Sequence, residues 1–503
     1  MVKRTGGALL LSLQIDRGNG ASVSHQVCSA LRELILHGGL HPGERLPATR
    51  TLASDLGISR TTVVDVYERL AAEGLIESRT GAGSFVSTVL SAERPRPTRR
   101  HLREPAAPDL FKPRLARSMT RAARRFGGRI THDEPRAFTT ALPAFDAFPV
   151  ALWSRKVAKH WRDPRDIAMG YGDPQGWLPL RRAVAAHLRA NRGIECDPGE
   201  VFIVGGAQQA FHLIASVLLD PGDKVWFENP GALGARNALI ACGADLVPVP
   251  VDQQGLVVSE GERLARNLRL AFVTPSHQHP MGSLMSLERR FALLNAAANA
   301  GAMVMEDDYD GEFFYAGQPI PTLKAVDTAG HVIYVGTFSK TLFPALRLGY
   351  FVSPPALVDS FNQVTHAFLQ GVPSNMQAVV ADFIDEGHFA THIRRMRRLY
   401  AERQQVLCEA ANRYLAGRLD VLPTDSGLNT IAYLAPPWSE EAVTEAARRR
   451  RVTVAPLSRF CLEPIDRQGL VLGFSGIRPE AIVHGVRILA EVLDQDPSLP
   501  GSN

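Results

Sequence analysis

The chain has 503 residues, is 45% apolar, 21% charged and 7% aromatic, and carries a formal charge of +5 from 56 basic and 51 acidic side chains. This composition excludes wholesale disorder, a collagen-like repeat and a disulfide scaffold, and the length calls for about two to four folded units. The five cysteines are widely separated, with no CxxC and no histidine partner at metal spacing, so buried thiols in a reducing cytosol and no metal site are expected. No apolar run approaches the roughly 20 residues of a membrane span, and the patch at Leu9, Leu10, Leu11 and Leu13 gives way to Gln14, Asp16 and Arg17. A soluble, cytoplasmic protein is expected.

In chain order, Val27, Leu31, Leu34 and Ile35 form a helical stripe that Gly38, Gly39, Pro42 and Gly43 break. A second short helix follows Pro47, with Leu52, Ala53 and Leu56 inward and Gly57 as its stop. Ser59 suits the N-cap of a third helix, whose buried stripe is Val63, Val66, Tyr67 and Leu70. Two β-prone pieces, 75–78 and 84–87, are joined by Arg79-Thr80-Gly81-Ala82-Gly83. Three helices and a glycine-tipped hairpin over residues 22–88 describe a winged helix-turn-helix. The third helix opens with Ser59-Arg60-Thr61-Thr62. Set into a major groove, that end offers N–H groups and hydroxyls to phosphates and an arginine to a guanine edge. The plainer alternative is that these residues cap and solubilise a small helical domain.

The run PGERLPATRTLASDLGISRTTVVDVYERLAAEGLIESRTGAGSFV (42–86) resembles the DNA-binding domain of GntR-family transcription regulators. The resemblance implies a double-stranded DNA operator as partner, contacted by Arg50, Ser59, Arg60, Thr61, Thr62 and the wing tip Thr80-Gly81. After it, residues 89–140 form a basic, proline-containing stretch. Thirteen cationic side chains between Arg94 and Arg136 face four acids, which predicts an extended, solvated linker. Contact with DNA phosphates, or placement of the flanking domains, is the sharper alternative.

From 141 to 495 apolar strands alternate with helices, which predicts an α/β domain with a mostly parallel central sheet; a smaller C-terminal subdomain at about 390–495 is expected as well, in keeping with the resemblance given below. Strands run into Gly205-Gly206-Ala207-Gln208, Glu228-Asn229, Thr274-Pro275-Ser276-His277, Glu306-Asp307-Asp308-Tyr309 and Thr337-Phe338-Ser339-Lys340. Such sheets bind ligands at the C-terminal strand ends. A glycine turn opening a helix can hold a phosphate, and a lysine after a strand can carry a Schiff base. Asp307, 33 residues before Lys340, can keep a pyridine nitrogen protonated. Together these meet the needs of pyridoxal 5′-phosphate, an electron sink only while its nitrogen holds a proton. His277 and His279 suit either hydrogen-bonded loop positions or a place beside that ring.

YGDPQGWLPLR (171–181), EDDYDGEF (306–313) and GTFSKTLFPALRLGY (336–350) make the segment from about 140 to 490 resemble a PLP-dependent aminotransferase of the aspartate-aminotransferase type. With its GntR-like head, the chain resembles the MocR/GabR group of bacterial transcription regulators. The resemblance implies that Lys340 links covalently to the cofactor, Asp307 pairs with its ring nitrogen and Tyr309 faces its phenolic oxygen. It places Gly206, Ala207, Gln208, Thr337, Ser339 and Arg347 around the phosphate. It also implies a homodimer, with one chain's head packed on the other's body, and an amino-compound effector: γ-aminobutyrate, taurine, another amino acid or the vitamer itself.

Two positions depart from that pattern. Ala232 stands in Pro230-Gly231-Ala232-Leu233 where an aromatic would stack on the ring, and Val471 stands where an arginine would grip a substrate carboxylate. Efficient transamination is therefore not expected, and Arg236 becomes the candidate for an anionic effector, against the reading of an exposed helix arginine. A PLP-dependent regulator is the leading expectation. An active aminotransferase with an autoregulatory head is the alternative, and a sensor of PLP alone is a third.

Overall fold

The computed structural model describes residues 22–79, 81–91, 116–125, 136–162, 169–315 and 320–494. Contacts divide the chain into two compact units, Met1–Lys112 and Pro113–Asn503.

In the first unit, helices Val23–Leu36, Thr49–Leu56 and Arg60–Ala72 precede an antiparallel hairpin of β1 (Ile76–Arg79) and β2 (Gly83–Val86). Val27, Leu31, Ile35, Leu52, Val63, Val66, Tyr67 and Leu70 share one core. Leu34 and Leu56, read as inward, are only partly buried against it. Gly57 ends the second helix at φ +63°, a left-handed conformation that suits glycine, and the Tyr67 hydroxyl donates to the Pro47 carbonyl at 2.9 Å.

The second unit is built on an eight-stranded sheet of β3 (Val201–Val204), β4 (Lys224–Asn229), β5 (Asp245–Asp252), β6 (Gly255–Leu256), β7 (Leu268–Val273), β8 (Met303–Asp307), β9 (Val332–Thr337) and β10 (Gly349–Val352). Its order is β3-β10-β9-β8-β7-β4-β5-β6. Strands β5, β4, β7, β8 and β9 run parallel, while β10 is antiparallel to both β9 and β3, and β6 to β5. Alternation within β4 shows why the strands are apolar throughout. Val225 and Phe227 enter one core with Phe211 and Phe272, while Trp226 enters another with Leu293 and Val304.

A smaller antiparallel sheet, ordered β11-β12-β14-β13, follows the long helix His388–Tyr414. Its strands are β11 (Leu419–Val421), β12 (Asn429–Leu434), β13 (Ala455–Pro456) and β14 (Gly469–Gly473), and helix Pro479–Leu493 closes the chain's described part.

The stretch expected to be an extended linker to residue 140 is corrected at two places. Arg117–Arg125 is a helix packed on helix Leu233–Ala241, with Ala122 buried. Phe138 is wholly buried in the main core and bridges to Gly473. Charge density hides both contacts, because arginine stems cover apolar surface while their heads stay in water. The apolar patch near residue 10 lies outside the described residues.

Candidate functional site

The parallel strands deliver their polar ends to one edge of the sheet. Asp307 ends β8, Lys340 lies in the helical turn Phe338–Thr341 directly after β9, and the two strands pair in register at Asp307 and Val335. Asp307 is buried, and its Oδ1 has no hydrogen-bond partner. Burial pushes its carboxyl well above the usual range; Asp308, Asp310 and Glu228 add to this and Lys340 opposes it. Glu228 is buried as well and raised to about 7 by desolvation, against donation from the Thr274 amide and hydroxyl (3.1 and 2.6 Å) and from the Gln278 amide (3.0 Å). An orphaned carboxylate oxygen among acids is a place for a cationic N–H, which is what a protonated pyridine supplies.

The Tyr309 hydroxyl lies 2.9 Å from His277 Nδ1, which also lies 3.0 Å from Asp310 Oδ2. Burial, then Asp310 and Asp307, hold this phenol well above its ordinary range, so it stays protonated as a donor. His279 stands edge-on to both Tyr309 (5.5 Å) and Phe460 (5.1 Å). Burial, then His277 and Lys340, push its imidazole down to about 3. Both histidines, open between two readings in the sequence, are thus packed around the site, and His277 is a hydrogen-bonded loop residue.

At the other end of the site, Gly206 at φ +98° caps helix Ala207–Leu218, whose first residues are Ala207 and Gln208. A β-carbon on Gly206 would lie 3.8 Å from the Arg347 guanidinium carbon, so the cation runs alongside this glycine's backbone. Thr337 caps the Lys340 turn by accepting from the Ser339 amide at 3.1 Å. A helix N-terminus, an arginine and two hydroxyl side chains fit a phosphate. Gln208 donates at 3.0 Å to the Gly234 carbonyl. The described residues therefore fit pyridoxal 5′-phosphate: an anion cradle, an amine and an unpartnered acid.

Two expectations change. Arg236 is 2% exposed, and its guanidinium donates to the carbonyls of Arg459 (3.2 Å) and Cys461 (3.4 Å). It is neither an exposed helix residue nor an open grip for an effector, because from helix Leu233–Ala241 it holds the loop 459–463. Asn229 does the same through Leu462 and Glu463. Val471 is buried with Ile431, Leu457 and Phe460, against Leu233 and Met281, so an apolar cluster fills the position where an arginine was looked for.

Other supporting residues carry no motif. Asp308 accepts from Arg192 at 2.5 Å and from the Tyr334 hydroxyl at 2.6 Å, and Lys340 Nζ donates to the carbonyl of Ala141 at 2.9 Å. Arg192 lies more than a hundred residues upstream in an ordinary helix, and Ala141 contributes only its backbone.

In the first unit, Arg50, Ser59, Arg60, Thr61 and Gly81 are exposed. The Ser59 hydroxyl accepts from the Thr62 amide at 3.1 Å and lies 2.7 Å from its hydroxyl, so these two side chains cap the helix that presents Arg60 and Thr61. Gly81 turns the hairpin at φ +80°. Thr80 lies outside the described residues.

Two family models match the chain: bacterial regulatory proteins of the gntR family over residues 23–86, and aminotransferase class I and II over 154–468. The probable rhizopine catabolism regulatory protein MocR of Rhizobium meliloti is 39% identical, over 97% of this chain and 98% of its own. The HTH-type transcriptional regulator TauR of Rhodobacter capsulatus is 31% identical, over 95% and 97%. Among solved structures, the α-aminoadipate aminotransferase LysN of Thermus thermophilus, complexed with N-(5′-phosphopyridoxyl)-L-leucine, is 28% identical. It superposes with a TM-score of 0.66 over 75% of this chain and 95% of its own. Head and body matched in this order along nearly the whole length place the chain in the MocR-type group of GntR transcription regulators, DNA-binding proteins with an aminotransferase-like body.

Proposed function

We propose that the body holds pyridoxal 5′-phosphate at Lys340 and that an amino compound engaging the loaded site changes how the head holds its operator. The observation that carries this reading is the unpartnered Asp307 Oδ1 at the end of β8, among acids and beside the strand that delivers Lys340. When bound, the cofactor supplies a carbonyl carbon that condenses with primary amines and an electron-withdrawing ring. The chain's own residues do the rest. Gly206, Ala207, Gln208, Thr337, Ser339 and Arg347 hold the phosphate, Asp307 keeps the ring nitrogen protonated, Tyr309 donates to the phenolic oxygen, and Lys340 presents the amine.

The apolar cluster at Val471 supports a regulatory use of the site over efficient turnover of α-amino acids, because no cation from β14 meets a carboxylate there. A homodimer belongs to this reading. Met169, Tyr171 and Phe368 are 75%, 80% and 80% exposed, apolar surface that suits a second copy. An operator partner makes the cytoplasm the working compartment, and no helix among the described residues is long and apolar enough to cross a membrane. For the effector to act, it must bind one arrangement of the dimer more tightly than the other.

The test is a titration of the purified protein with PLP, followed by visible absorbance, beside Lys340→Ala. A band that needs Lys340, and an amine-dependent change in operator affinity that is lost in the variant, are the expected results. No band at any concentration, or an effector response that survives in Lys340→Ala, overturns the reading.

A further inference from the structure

The contacts of His277 extend beyond the site. Its side chain and that of Asp310 are each 1% exposed, and one nitrogen, Nδ1, faces both Asp310 Oδ2 and the Tyr309 hydroxyl. A carboxylate only accepts, so the hydrogen between them sits on Nδ1. The tyrosine oxygen shares that same hydrogen, and its own O–H has two acceptors within reach, the Asp310 carboxylate, whose hydrogen bond is among the causes that raise this phenol, and whatever fills the cofactor site; an Oδ2 already engaged by Nδ1–H favours the second. On the far side, Nε2 lies 3.4 Å from the hydroxyl of Thr424.

The slot is closed by glycine. Gly427 stands at φ +85°, and a β-carbon there would overlap both the His277 ring and the Asp310 carboxylate. At Gly282 a β-carbon would come within 3.2 Å of Nε2. Thr424 and Gly427 belong to the turn between β11 and β12, so this wall comes from the smaller sheet. The Gly427 amide donates to the Phe313 carbonyl at 2.8 Å, which ties that turn to the segment after β8.

We propose that His277 is a positioning residue: held by Asp310 and walled in by the Thr424–Gly427 turn, it aims the Tyr309 hydroxyl into the cofactor site. This rests on the reading that Lys340 carries PLP and that Tyr309 meets its phenolic oxygen. It adds that the smaller subdomain sets the direction of that hydrogen bond through an imidazole, so a shift of the 424–427 turn alters the electronic state of the site.

The experiment is a pH titration of the visible band of the PLP-loaded, full-length protein in wild type, His277→Leu, His277→Asn, Tyr309→Phe and the double variant His277→Leu/Tyr309→Phe. Besides His277, the charged or titratable groups of the described residues around Tyr309 include Asp307 and Asp310 around β8, Glu228 on β4, His279 after β7, and Lys340, while Asp308, Glu312, His187 and Tyr334 line one cavity with it. The other variants leave all of these in place. With its donor misaimed, the phenolic oxygen keeps more negative charge and holds the neighbouring proton more tightly. His277→Leu should therefore raise the midpoint by about one pH unit, a roughly tenfold change in proton affinity. His277→Asn, whose amide nitrogen falls where Nδ1 sits, should titrate like wild type. In the Tyr309→Phe background, His277→Leu should add nothing.

Should His277→Leu fail to fold, His277→Gln carries the same expectation, because its amide reaches the Nε2 position instead. A wild-type midpoint in His277→Leu or His277→Gln, or an equal shift in the Tyr309→Phe background, overturns the proposal while the cofactor reading stands. Absence of any band in wild type overturns both.

Discussion

The amino group of Lys340 donates to the main-chain carbonyl of Ala141, 199 residues earlier. Ala141 has a left-handed backbone at φ +62°, and its amide donates to the Asn429 side chain at 3.0 Å. The Thr453 amide donates to the Ala137 carbonyl at 3.0 Å. The end of the segment joining the two parts of the chain is therefore fastened between the candidate cofactor lysine and the smaller sheet.

Asn429 is the fastener open to mutation. Its side chain is buried, so Asn429→Ala strands the Ala141 amide and is expected to cost about 1–3 kcal/mol. Urea unfolding of the full chain measures this. An unchanged midpoint would show that Phe138 and the bonds to Thr453 and Lys340 hold the 136–141 segment without Asn429.

His279 makes the apoprotein sensitive to mild acid. Its folded value near 3 lies below the ordinary 6.5, so between those values the unfolded chain binds more protons. Stability from keeping this ring neutral is complete above about pH 6.5 and is lost as pH falls toward 3. From pH 7 to pH 5, wild type should lose up to about 2 kcal/mol more than His279→Asn. Parallel pH profiles for the two proteins would refute this.

Ser59 and Arg60 should separate folding from DNA contact. Ser59→Ala removes the cap of helix Arg60–Ala72 and should cost about 1 kcal/mol of stability. Exposed Arg60 should be dispensable for folding, while Arg60→Ala should weaken operator binding about ten- to hundredfold if it reads a base edge. Thermal melting and anisotropy titrations with operator DNA check the pair. Equal affinity in Arg60→Ala would move the contact to another residue.

Val471→Arg should not create a working transaminase. The side chain enters the Ile431, Leu457 and Phe460 cluster, where an unpaired guanidinium costs about 3 kcal/mol or more. The measurement is stability together with a keto-acid half-reaction. A stable variant with gained turnover would show that the cluster opens toward substrate.

What the sequence determined by itself is whatever depends on local periodicity and on the order of elements. The buried stripe of helix Arg60–Ala72, the cap at Ser59, the strand end at Asp307 and the turn after β9 that carries Lys340 follow from spacing, because a strand must alternate and a parallel sheet must aim its ends one way. Tertiary structure alone decided which distant groups meet. Arg236 looks like a surface helix residue until the loop 459–463 closes over it, and helix Arg117–Arg125 looks like solvated linker until helix Leu233–Ala241 receives it. Asp310, His277 and Thr424 come from three segments, and the carbonyl of Ala141 has no side-chain signature at all. Such partners are chosen by packing and by the need to satisfy buried polar groups, which act across the fold and leave no period in the chain.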